Sequence, residues 1–116
     1  MRPANLILLF GCATMALGAL AAAPAARAQD AVPEIKVQDG RFAPSQLTVP
    51  ANTAFKLRVT NADKAAIEFE SFELHRERVI QPGETITVNM PALTPGTYKF
   101  FDDFHSDTPE GAIVVK

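Results

Sequence analysis

Cysteine is nearly absent: the 116 residues hold one, Cys12, and it sits inside an apolar N-terminal stretch. If that stretch is removed on export, what remains can form no disulfide and offers no thiolate to a metal, even in a compartment that permits disulfides. Positive charge is also scarce, with 11 Lys and Arg against 13 Asp and Glu, which makes the chain a poor partner for nucleic acid and a plausible one for cations. Beyond residue 28 there is no apolar spacing of helical period, no internal repeat and no low-complexity tract. A hydrolase built on His105 has little to rest on, because Ser106 adjoins it in the same short segment and no oxyanion motif is evident.

The N-terminus reads as a targeting segment. Arg2 supplies a positive start, Leu6 to Ala23 is apolar, and Ala26-Arg27-Ala28 is a small-x-small cleavage signal ahead of Gln29. Residues 1–28 are therefore expected to be a secretory signal peptide, with the product in the periplasm. A membrane anchor is the competing reading, since the run is close to the roughly 18 residues that count as a candidate span; lipid attachment at Cys12 is another, on the loose lipobox Leu9-Phe10-Gly11-Cys12. Cleavage after Ala28 removes 28 of 116 residues and leaves 88, enough for one small two-layer domain that no longer spans a membrane. Arg2 and Arg27 leave with the signal and no acid does, so 9 basic residues face 13 acidic ones, a net charge of −4.

After a polar linker at 29–33, strand patterns follow one another to the C-terminus. Glu34 to Gln38 alternates and ends at the turn Asp39-Gly40; Phe42 to Ser45 forms an irregular corner; Gln46 to Pro50 is a second short strand. Phe55 to Thr60 sends Phe55, Leu57 and Val59 to one face and Lys56, Arg58 and Thr60 to the other. Ile67 to Leu74 is read as one alternating strand, with Ile67, Phe69 and Ser71 opposite Glu68, Glu70 and Phe72, and His75 to Arg78 as a solvated charged segment. Glu84 to Met90 turns Ile86 and Val88 inward, and Gly96 to Phe101 and Gly111 to Val115 form a closing hairpin. Six or seven short strands punctuated by Pro and Gly predict an all-β domain, a β-sandwich over 34–116.

The hairpin loop concentrates the chemistry. Asp102, Asp103, His105, Asp107 and Glu110 put four carboxylates and one imidazole, hard or borderline donors without sulfur, between two strands. Turns select Asp, Ser, Pro and Gly for their own reasons, so such a loop can also be a plain solvated connection. Glu70, Glu73, His75 and Glu77 form a second charged group, readable as a solvated face, a further metal site or a docking surface.

The pattern Gly96-x-Tyr98-x-Phe100, then His105, then Gly111-x-Ile113-x-Val115 resembles the last hairpin of cupredoxins. Val49-Pro-Ala-Asn-Thr53 is similar to their Val-Pro-Ala-Gly-Thr turn, and Glu68-Phe-Glu70 stands where they place a first histidine ligand. Taken over 34–116, the chain resembles the cupredoxin-like proteins of bacterial iron-uptake systems, related to the module of EfeO-type periplasmic components. The resemblance implies a Greek-key sandwich, with Glu68 at the first-histidine position, Asp102 where a cysteine would ligate copper, His105 at the loop histidine and Glu110 near the methionine. It also implies partners among the components of a membrane iron permease system.

Without a thiolate a blue-copper centre is excluded, and carboxylates with one imidazole suit Fe(II), Fe(III), Mn(II) or a plain Cu(II) ion. The expected metal set is Glu68, Asp102 and His105, completed by Glu110 or Asp107, with Glu70 replacing Glu68 if the strand register slips by one. Iron is preferred to copper as the bound ion, and the expected role is capture, with possible assistance to iron oxidation. The alternative is a metal-free sandwich that binds a periplasmic protein through its charged hairpin.

Overall fold

The computed structural model describes residues 32–116, together with 18 and 19; the expected signal peptide and the linker residues 29–31 otherwise lie outside the described residues. No helix among the described residues is long and apolar enough to cross a membrane. Among the described residues nine strands run in chain order: β1 (Glu34–Gln38), β2 (Arg41–Ala43), β3 (Gln46–Val49), β4 (Phe55–Asn61), β5 (Ile67–Ser71), β6 (Arg76–Ile80), β7 (Thr85–Met90), β8 (Gly96–Asp102) and β9 (Gly111–Val115). They form two mixed sheets, β2-β1-β4-β7 and β3-β9-β8-β5-β6, in which β1 pairs β4 and β3 pairs β9 in parallel. The all-β sandwich predicted from alternation is the observed architecture.

The core follows the alternation. Ile35, Val37, Leu57, Val59, Val88, Phe69, Phe100, Ile113 and Val115 are buried from the two inner faces, and Phe55 packs half-buried beside them. Phe100 is the centre of an aromatic group, meeting Phe42 edge-on at 4.9 Å and Phe69 at 5.2 Å between ring centroids. Asn61, at the end of β4, is one of four buried polar residues among those described, and it is satisfied. Its Nδ2 donates to the carbonyls of Ala65 and Ile80, and its Oδ1 accepts from the Asp63 amide, which fixes the turn into β5.

Three expectations change: Phe42 and Ala43, read as part of an irregular corner, belong to β2 and pair with β1, and the other two concern β5 and β6. The strand read as Ile67 to Leu74 ends at Ser71, and the segment read as solvated, His75 to Arg78, opens a further strand, β6. The break is a tight turn in which Ser71 Oγ donates to the Lys99 carbonyl and accepts from the Leu74 amide, while His75 takes a positive φ of 53°. Strand β6 was hidden because it is an edge strand whose inward positions are filled partly by arginines, so no apolar alternation marks it. Arg76 reaches across to β7: its guanidinium donates to the Asn89 carbonyl and to the carbonyls of Leu74 and His75, tying the two sheets at their edge. Asn52, which stands where the cupredoxin turn carries glycine, has a φ of 57°, a conformation asparagine tolerates better than most residues.

Gly111 opens β9 directly opposite Phe100, whose ring lies across its α-carbon, with the Ser45 carbonyl on the other side. A methyl group there would collide with a fully buried ring. Gly111→Ala is expected to destabilise the domain by roughly 1–3 kcal/mol, read as a lowered denaturant midpoint with an unchanged slope.

Candidate metal centre

Strand parity decides which donors can meet. Along β8, Phe100 points into the core, so Phe101 points out, Asp102 in and the following Asp103 out. The register with β5 agrees: Asp102 lies opposite Phe69, which is buried, and Phe101 lies opposite Glu70, which faces outward. Glu68 and Asp102 are on adjacent strands, and their side chains leave the sheet on opposite faces.

Asp102 is 2% exposed and its carboxylate is occupied by the protein itself. Oδ1 accepts the Glu68 amide at 3.0 Å and the Phe104 amide at 3.1 Å, and Oδ2 accepts His105 Nδ1–H at 2.7 Å. Charge-assisted bonds of this kind fasten the end of β8 to β5 and fold the start of the loop. With Nδ1–H given to Asp102, Nε2 is the ring nitrogen His105 has left to offer. The imidazole is 43% exposed and lines a cleft of about 740 Å³ at the end of the sandwich, together with Arg41, Lys64 and Asp107. A second cleft residue, Asp63, is also spent internally, accepting the amides of Asp39 and Gly40.

The convergent carboxylates lie elsewhere, on the outer face of the second sheet. Glu68, Glu70 and Asp103 each bring a carboxylate oxygen within 4.8 Å of the others. Glu68 and Glu70 share that face by the two-residue period of β5, and the Asp103 amide donates to the Glu68 carbonyl at 3.0 Å, which carries Asp103 alongside. Glu77 of β6 is directly opposite Glu70 and diagonal to Glu68. Crowding of like charges is felt by the acids. A hydrogen bond with Glu77, then burial, then repulsion from Glu77, Asp103 and Glu70 push the Glu68 carboxyl up to about 7, and burial followed by Asp103 and Glu77 raises that of Glu70.

The residues expected to share one site thus occupy three places. Glu68 and Glu70 belong to the outer face, Asp102, His105 and Asp107 to the end cleft, and Glu110 pairs with Lys99 at 4.0 Å along the hairpin. The register left open between Glu68 and Glu70 was no real choice, because two residues apart on one strand they share a face. Asp103 stands outside the expected set, although continuing the alternation of Tyr98 and Phe100 through residue 102 turns it outward. Glu73 is removed from the second charged group by its own bond, accepting the Lys99 amide at 2.8 Å.

A thiolate-centred copper site does not fit, since no cysteine occurs among the described residues. The outer trio does fit a hard cation. It supplies oxygen donors of high negative charge, open to solvent on one side, with carboxylates that repel one another until something positive lies between them.

Two outcomes follow. Glu68 and Glu70 hold protons to higher pH when folded than when unfolded, so the stability of the metal-free protein should fall as pH rises from about 4.5 through about 7. Thermal unfolding across that range should show the decline, and Glu68→Gln should flatten it. Removal of the buried carboxylate in Asp102→Ala strands two amides and an imidazole, and is expected to cost about 3 kcal/mol or more in denaturant unfolding.

Comparison with known proteins places the fold. The profile of the family described as "Cupredoxin-like domain" matches residues 8–115. An uncharacterized protein of Rickettsia prowazekii (strain Madrid E) is 43% identical over 82 residues, covering 71% of this chain and 66% of its own length, so the chain spans just under two thirds of that relative. Among solved structures, auracyanin A, a "blue" copper protein of Chloroflexus aurantiacus, superposes with a TM-score of 0.63 at 16% identity over 74% of this chain and 98% of its own. A purple cupredoxin from Nitrosopumilus maritimus gives 0.57 at 18% identity over 72% and 99%. At these identities the two structures speak for the fold alone. With a family profile that covers nearly all of it, the chain belongs to the cupredoxin-like domain family.

Proposed function

We propose that this protein is a cupredoxin-fold metal carrier that captures a hard cation, iron in preference to copper, on the outer-face carboxylates. The single observation that carries the reading is the approach of Glu68, Glu70 and Asp103 to within 4.8 Å of one another. Glu68 is 7% exposed as a residue, and the bonds of its backbone to Asp102 and Asp103 fix the strand from which its carboxylate leaves. Such preorganisation favours a bound ion over an ordinary solvated acid, because the cost of assembling the ligands is already met in the fold.

Iron is cargo in this reading. Ferric iron, smaller and more highly charged than ferrous, gains more from carboxylates, so the site would favour the oxidised ion, and any oxidation would need an electron acceptor from elsewhere. The open side of the trio suits loading and unloading. The protein would act in the periplasm after export by residues 1–28, and would pass its ion to or from components of a membrane iron permease system. His105, with Nε2 turned to the end cleft and Asp102 orienting its ring, is the available nitrogen donor should a second ion enter there.

Titration of the purified protein with Fe(II) under anaerobic conditions, Fe(III) and Cu(II), beside the isosteric triple variant Glu68→Gln/Glu70→Gln/Asp103→Asn, tests the proposal. One ion per chain, lost in the variant and weakened as pH is lowered from 8 to 5 because protons compete for Glu68, is the expected result. Weak binding that is the same in both proteins would end the carrier reading.

A further inference from the structure

The face that carries the carboxylates also carries apolar side chains that the core does not use. Phe72, just beyond β5, is 71% exposed, and Val79 on β6 is 46% exposed. Phe72 packs sideways against Phe101, with ring centroids 5.3 Å apart and planes at 55°. The register sets Phe101 beside Glu70 and Val79 beside Glu68, so acidic and apolar groups interleave across β8, β5 and β6. Surface aromatics held in place by a neighbour, rather than scattered singly, are the groups that dominate contacts between proteins.

Among the described residues, acidic groups outnumber basic ones on the same surface, and the basic ones that border it, Lys99 and Arg76, already have partners. Arg78 lies opposite Phe69 and so leaves the sheet on the other side, and Arg76 is committed to the carbonyls of Leu74, His75 and Asn89. Lys99, on the outward side of β8, lies 4.0 Å from Glu110. A second copy of this chain would oppose acid with acid, which electrostatics disfavours, whereas a cationic surface would meet four carboxylates and an aromatic pair at once.

We propose that this face docks a partner protein through a segment that carries lysine or arginine side chains around an exposed apolar residue. The apolar residue seats against Phe72 and Phe101, and the cations lie over Glu77 and the neighbouring carboxylates. The proposal deepens the carrier reading and rests on it in one respect: the partner is the protein that gives up or takes the ion at Glu68, Glu70 and Asp103.

The test uses metal-free, 15N-labelled protein and two synthetic peptides of equal length and charge, one alternating lysine with leucine and the other lysine with serine. Amide shifts caused by the lysine–leucine peptide should be confined to β5, β6, Phe72 and residues 101–103. That peptide should bind at least about tenfold more tightly than the lysine–serine one, and Phe72→Ser should lower its affinity by about tenfold. Glu77→Lys should weaken both peptides, and the amide spectrum of each variant reports that it is folded. Equal affinity for the two peptides, indifference to Phe72→Ser, or shifts spread over the β2-β1-β4-β7 sheet would overturn the proposal. The metal titration of Phe72→Ser separates the two readings. Unchanged ion binding without selective peptide docking removes the docking face alone, and selective docking in a protein that binds no ion removes the carrier reading alone.

Discussion

The carboxylate of Asp102 is the point on which this end of the molecule depends. It is buried among groups that would otherwise have no partner: the Glu68 amide at the start of β5, the Phe104 amide of the loop and the His105 ring. A single neutral acceptor could not serve three donors from two segments, and an ionised carboxylate, with two oxygens and several lone pairs, can. Its effect reaches through the sheet. By holding the backbone of Glu68 from inside, while the Asp103 amide holds the Glu68 carbonyl, it sets the spacing of the acids that emerge outside.

Those outer acids are an expense the fold does not need. Glu70 directly opposite Glu77 is a like-charge pair of the kind that weakens a sheet, and Glu68 and Asp103 add to it. The response of the protein alone is to hold a proton: the hydrogen bond with Glu77, then burial and this repulsion, push the Glu68 carboxyl up to about 7. A cation or a basic partner would relieve the same repulsion without the proton. Charge that is costly in isolation and relieved by a ligand is the mark of a functional surface more often than of a structural one.

Most of the fold was legible because it rests on one strong signal, alternation with period two. Leu57 and Val59, Ile86 and Val88, and the hairpin from Gly96 to Val115 were placed from it with their facing correct. It failed at β6, where Arg76 and Arg78 occupy inward positions of an edge strand and polarity no longer reports facing. The candidate site was less legible for a related reason. Ligand types can be read from sequence, but whether two of them meet depends on parity and register together, and these put Glu68 with Asp103 and left Asp102 with His105. The resemblance to cupredoxins named positions inherited from a site whose central ligand is a thiolate, and position 102 here carries a different chemistry.

On the resemblance to cupredoxins, an exchange of cysteine for aspartate at that position would let one frame accommodate unlike chemistry. A thiolate has one donor atom and few hydrogen-bonding demands, so at the buried end of β8 it can turn its sulfur to a metal. An aspartate in the same inward place brings two hard oxygens into an environment rich in backbone N–H groups, and these and the loop histidine take both oxygens. The inner position then becomes a structural anchor, and the adjacent outward position, Asp103, is free to act with Glu68 and Glu70. In the proposed reading the metal site has moved through the thickness of one sheet, from the buried end of the sandwich to an open face, while the strands that support it keep their order. Exchange of a labile ion with another protein favours such a place, since an open face can be covered by the partner at the moment of transfer and left to water afterwards.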